Sequence, residues 1–152
     1  MDLERIMAFD ADFISSALLI LLFFWYTLIM TGFKIRSIVI CTSAVKEKSL
    51  PEIILWAVFL ALIPSYIFTS FVGNVAAILF LLMWIVAQYF FTLRFILFPN
   101  AKRIQAYNRY FANTHHIIKP SPKRLVPDTY HIVLFALIFA CLIATLINLI
   151  LQ

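Results

Sequence analysis

Long apolar runs without charge alternate with short polar connections along this chain, and that alternation predicts four membrane-crossing helices. The runs span about 14–32, 53–71, 75–98 and 132–151, the first built around Ala17-Leu-Leu-Ile-Leu-Leu-Phe-Phe-Trp-Tyr26. Each is close to the ~20 helical residues that cross a ~30 Å hydrocarbon layer. None shows the strict apolar–polar alternation of a transmembrane strand. The connection 99–131 is the one long polar stretch. If its first part is helical, Ile104, Tyr107, Tyr110 and Phe111 share one side, while Lys102, Gln105, Arg109 and Asn113 share the other. That is the pattern of a helix lying along a membrane surface. Lys119-Pro-Ser-Pro-Lys-Arg124 and Pro127 then predict extended chain, because each proline disfavours helix before it. The expected architecture is all-α: a single integral membrane domain over 1–152, a four-helix bundle with an interfacial amphipathic helix before the last span.

Local signals refine the spans. Ser49-Leu-Pro-Glu52 matches a capping box with proline in the first turn, and Asp128 or Thr129 can cap the last span. Pro64 leaves the Leu60 carbonyl without its helical partner, which predicts a kink. Gly73-Asn74 predicts the turn between the second and third spans. Ala57, Ala61 and Ser65 recur every four residues, as do Ala136, Ala140 and Ala144. Small residues at that spacing permit close helix approach, so the second and fourth spans are expected to pair. The first and third spans carry more Phe and Leu and are expected to face lipid or a partner. In the third, Gln88 and Thr92 lie on one face within the membrane. An amide at that depth calls for an interhelical partner.

Composition agrees with a lipid solvent. The chain is 64% hydrophobic and 12% charged, against about 45–50% and about 25% for soluble domains. The net charge of +5 needs no nucleic acid to explain it, because basic residues collect in cytoplasmic loops. Lys34, Arg36, Lys46 and Lys48 follow the first span. Arg94, Lys102, Arg103, Arg109, Lys119, Lys123 and Arg124 lie at or after the end of the third. The start is acidic, with Asp2, Glu4, Asp10 and Asp12 against Arg5, so the first run is read as a retained helix rather than a signal peptide. The positive-inside rule places loops 33–52 and 99–131 in the cytoplasm and both termini outside.

Catalytic constellations are sparse. Cys41 and Cys141 fall in different settings and form no zinc spacing. His115 and His116 diverge in either helix or strand, and His131 sits at a membrane boundary. No metal or cofactor is expected. No span holds a carboxylate at mid-depth, which counts against coupled transport. The plan is similar to that of the MAPEG membrane enzymes: four spans, a basic first connection, a tight second and a polar third. Arg109-Tyr-Phe111 and Lys123-Arg-Leu125 resemble parts of that family's third connection, whereas its Glu-Arg…Asn signature is missing from 33–50. The resemblance implies an enzyme acting on a lipid-like substrate at the cytoplasmic interface. Read from the residues alone, such an enzyme would use Arg94, Arg103, Arg109 and the histidines around a membrane-level cleft. The primary expectation is a non-catalytic membrane subunit that assembles with itself or a larger complex. Its aromatic content of 16% suits broad apolar contacts. The seven cations of the last loop are its expected contacts with partners or anionic headgroups. An oligomeric channel lined by Gln88 and Thr92 is the third possibility.

Overall fold

The computed structural model describes residues 3–152, with side chains described from Asp10 onward except that of Ser70. The acidic start, Asp2 with the side chains of Glu4 and Arg5, lies outside the described residues. Helix α1 (Leu3–Thr31) leads into a hairpin of β1 (Phe33–Ile35) and β2 (Ile38–Cys41), followed by α2 (Leu50–Phe68) and α3 (Ser70–Gln88). A π turn (Tyr89–Leu93) joins α3 to the short α4 (Arg94–Leu97). The chain ends with α5 (Ala101–Tyr110) and α6 (Thr129–Leu151). Four stretches, Asp10–Thr31, Leu50–Phe68, Phe71–Leu97 and Thr129–Leu151, are long and apolar enough to cross a membrane. The protein is an all-α, multi-pass membrane bundle with one amphipathic helix before its last span.

The helices form a ring in which α1 packs on α2 and α6, and α3 packs on α2 and α6. The expected pairing of α2 with α6 is therefore replaced by a diagonal arrangement. Ala57, Ala61, Ser65 and Ala136 are exposed, and Ala140 and Ala144 are only half-buried. Aromatic bulk decides the packing instead. Tyr26, Phe59, Phe80 and Trp84 interlock across three spans, with Tyr26 and Trp84 4.7 Å apart and Phe59 and Phe80 5.1 Å apart. Each such ring brings about 150–250 Å² of surface into contact, more than an alanine seam offers. So the first and third spans, expected to face outward, supply much of the core. The outward helix is α2, of which 11% is buried against 28–33% for the other three spans.

Three further details differ from expectation. The turn between α2 and α3 is the single residue Thr69, and Gly73 and Asn74 sit inside α3. The first basic connection carries a hairpin that no Asn-Gly signal announced. Its two-residue turn places Arg36 at φ 55, the position that glycine usually fills in such turns. At the α2 start, Ser49 bonds the Glu52 side chain rather than a backbone amide. Helix α2 continues through Pro64.

Past β2 the chain folds back over the end of α1. Gly32, at φ 75, closes that helix. The Leu28, Ile29 and Met30 carbonyls accept from the Cys41 thiol, the Ala44 amide (2.7 Å) and the Ser43 hydroxyl (2.7 Å). These are last-turn carbonyls that have no partner within a helix. Burial pushes the Cys41 thiol up to about 11, so it stays protonated, and both cysteines are free.

Candidate functional site

The two basic connections meet at one end of the bundle. Val39 of β2 bridges Thr114, the His115 amide donates to the Val39 carbonyl at 2.7 Å, and the Thr129 amide donates to the His115 carbonyl at 2.9 Å. Extended chain around 114–116 thus ties the hairpin to the start of α6. Helix α5 lies beside this seam. Asn100 caps it by accepting from the Arg103 amide at 3.2 Å, and Ile104, only 2% exposed, anchors it into the bundle. Asn108 donates to the Ser121 carbonyl at 3.0 Å and so holds the proline-rich stretch against the helix. Lys102, Arg103, Gln105 and Arg109 are exposed, while Tyr107 and Phe111 turn partly inward. The amphipathic face is as expected, except that Tyr110 is 55% exposed.

Between α5 and the end of the third span runs an open groove of about 290 Å³, lined by Phe91, Phe95, Arg103, Ala106, Tyr107, Tyr110, Phe111 and Leu125. The Arg103 guanidinium stands 5.7 Å over the Phe95 ring, within cation–π range. Of the seven cations singled out from sequence, Arg103 alone lines the groove. Arg94, Lys102, Arg109, Lys119, Lys123 and Arg124 are exposed and do not line it. Among the described residues the only ion pair is Asp128–His131.

That pair forms the groove's inner support. Asp128 is 1% exposed and caps α6, accepting from the His131 amide at 3.0 Å and from the His131 ring at 2.5 Å. Burial by itself would raise the Asp128 carboxyl, but the hydrogen bond and charge of His131 outweigh it and hold the group below its ordinary value. The His131 ring packs against Phe111 at 5.1 Å and Tyr107 at 6.1 Å, two rings that also wall the groove. Burial likewise raises the Tyr107 hydroxyl. The other two histidines have separate partners: His115 bonds the Thr129 hydroxyl at 2.7 Å, and His116 bonds the Thr114 carbonyl at 2.9 Å. Among the described residues no three metal-binding side chains converge.

The opposite end holds a polar knot that the sequence did not single out. The Asn148 amide of α6 reaches Asp12 of α1 at 3.1 Å, Tyr66 of α2 at 3.1 Å and Asn74 of α3 at 3.3 Å. The Tyr66 hydroxyl donates to Ser15 of α1 at 2.6 Å. All four spans are thereby joined through side chains that, Asp12 apart, are buried. One signal was present in the sequence: each span carries a polar residue at a similar distance from that end. Gln88 and Thr92 do not converge on a common lining. Gln88 borders a crevice between α3 and α6 with Leu93, Phe135 and Phe139, whereas Thr92 is buried. Compared with known protein families, curated proteins and solved structures, the chain matches none.

Proposed function

We propose that this chain is a small, non-catalytic subunit of a membrane assembly, joined to itself or to a larger complex through α2. The observation that carries this reading is the outward face of α2, the least buried span, where Ala57, Ala61 and Ser65 are all exposed. Small residues at four-residue spacing admit a second helix at close range. The basic end faces the cytoplasm and meets anionic headgroups there, and both termini lie on the other side.

Two experiments test this. Native mass analysis in mild detergent is expected to find an oligomer or a larger complex. Ala61→Leu, which overfills a close contact at about 1–3 kcal/mol, is expected to weaken that association at least roughly fivefold. A monomeric wild type, or an Ala61→Leu variant that associates unchanged, argues against the reading. For orientation, a cysteine introduced as Ser121→Cys is expected to react with a membrane-impermeant maleimide only from the cytoplasmic side; labelling from outside refutes the topology. A second reading, a membrane enzyme acting on a lipid-like substrate, is favoured by one feature, the groove beside His131.

A further inference from the structure

We propose that the groove between the third span and α5 binds one anionic phospholipid, its phosphate on Arg103 and an acyl chain along Phe91 and Phe95. The inference rests on the reading above that the basic end meets anionic lipid, and it assigns that contact to a specific place.

The walls have the chemistry of an acyl-chain site. Phe91 is 78% exposed, and with Phe95, Tyr110 and Phe111 it presents aromatic surface to the groove over a floor of buried Leu125. The third span ends here, so the groove lies where acyl chains meet headgroups. A π turn covers Tyr89–Leu93. Its extra residue sets the rotation at which Phe91 and Phe95 both line the groove, and such turns recur at functional sites. The volume of about 290 Å³ holds roughly ten chain units if each takes ~30 Å³, the share of a water molecule. That admits a length of one chain, with the rest of the lipid left in the bilayer.

Charge selects the headgroup. Lys102 and Arg103 occupy the first turn of α5, which contains no acidic residue. The helix dipole is positive at that end, so two cations there are mutually unfavourable until an anion joins them. Neither has a carboxylate partner among the described residues. Arg103 is held over Phe95 at the groove wall, where its planar fork of donors suits phosphate oxygens. A zwitterionic headgroup would bring a cation of its own into the same field.

The test uses the full chain in mild detergent, titrated with dioleoyl phosphatidylglycerol and, separately, dioleoyl phosphatidylcholine, with adducts counted by native mass spectrometry. One phosphatidylglycerol adduct is expected at a concentration about fivefold below that needed for phosphatidylcholine, the preference expected from one interfacial cation. Arg103→Gln should erase the preference and Arg103→Lys should keep most of it. Ala106→Trp, which fills the groove, should remove the adduct for both lipids. Far-UV circular dichroism verifies the fold of each variant, and Ala106→Trp carries the test if the glutamine variant fails to fold. A preference that survives Arg103→Gln, or an adduct that survives Ala106→Trp, overturns the proposal. If the preference instead disappears when Lys119, Lys123 and Arg124 are changed to Gln, the groove site is wrong while the lipid-facing basic end stands. Equal binding of the two lipids by the wild type overturns both.

Discussion

Gly73→Ala is expected to destabilise the protein by about 2 kcal/mol, lowering its thermal midpoint in detergent by roughly 5 °C. In isolation the substitution should help, since alanine is favoured over glycine inside a helix by about 1 kcal/mol. Geometry reverses the sign. A Cβ at Gly73 would lie 2.6 Å from the Ser65 carbonyl oxygen and 2.7 Å from the Tyr66 Cα. Both are backbone atoms of the last turns of α2, and no rotamer change can move them. With Thr69 as the only connecting residue, the two helices have little slack. Relief must come from shifting the end of α2, which carries Tyr66 away from Ser15 and Asn148. The clash and the polar knot are therefore coupled. Gly73→Ala combined with Asn148→Ala should cost less than the sum of the single changes, because the first substitution already strains the contacts that the second removes. An unchanged midpoint for Gly73→Ala would mean that α2 and α3 separate freely at this turn.

The same glycine shows what could be read in advance. Hydropathy located four spans, because a run of about 20 uncharged apolar residues has one economical solution in lipid. Gly73-Asn74 read as a turn because glycine and asparagine usually mark one. In the protein the glycine serves close approach, and the chain turns at Thr69. A pairwise distance of that kind leaves no trace in a single sequence. Helix neighbours were equally hidden. Periodic small residues identified faces that permit contact, but α2 keeps that face outward, because Phe59 and its aromatic neighbours fill the centre.

At the basic end, the parts were legible and the arrangement was not. Ile104 and the polar face of α5 followed from periodicity. Arg103 was one cation among seven, and only its place over Phe95 separates it from Lys102 next door. The hairpin escaped notice because its turn residue, Arg36, takes a positive φ without glycine. The polar knot escaped because its members come from four helices, and long-range side-chain contacts need the packing first.

Asp128→Ala should be the most damaging change at that end, at about 3 kcal/mol, from the lost helix cap at about 1 and a charge-assisted hydrogen bond at about 1.5–3. Asp128→Asn keeps an oxygen for the His131 amide and loses only the charge, so a smaller loss of about 1–2 kcal/mol is expected. The two variants separate capping from pairing, and pH separates them again. A carboxyl held below its ordinary value binds fewer protons in the folded chain than in the unfolded one. Its contribution is complete above the unfolded value near ~3.9 and disappears as pH falls through the lower folded value. The stability gap between wild type and Asp128→Asn should therefore close as pH falls into strong acid. A gap independent of pH would show that the charge contributes nothing and that capping alone matters. The same substitution probes the groove. His131, deprived of the carboxylate that fixes its ring, would hold Phe111 and Tyr107 less firmly. Asp128→Ala should then weaken the phosphatidylglycerol adduct while leaving Arg103 and its charge preference in place, so that both lipids lose affinity by a similar factor.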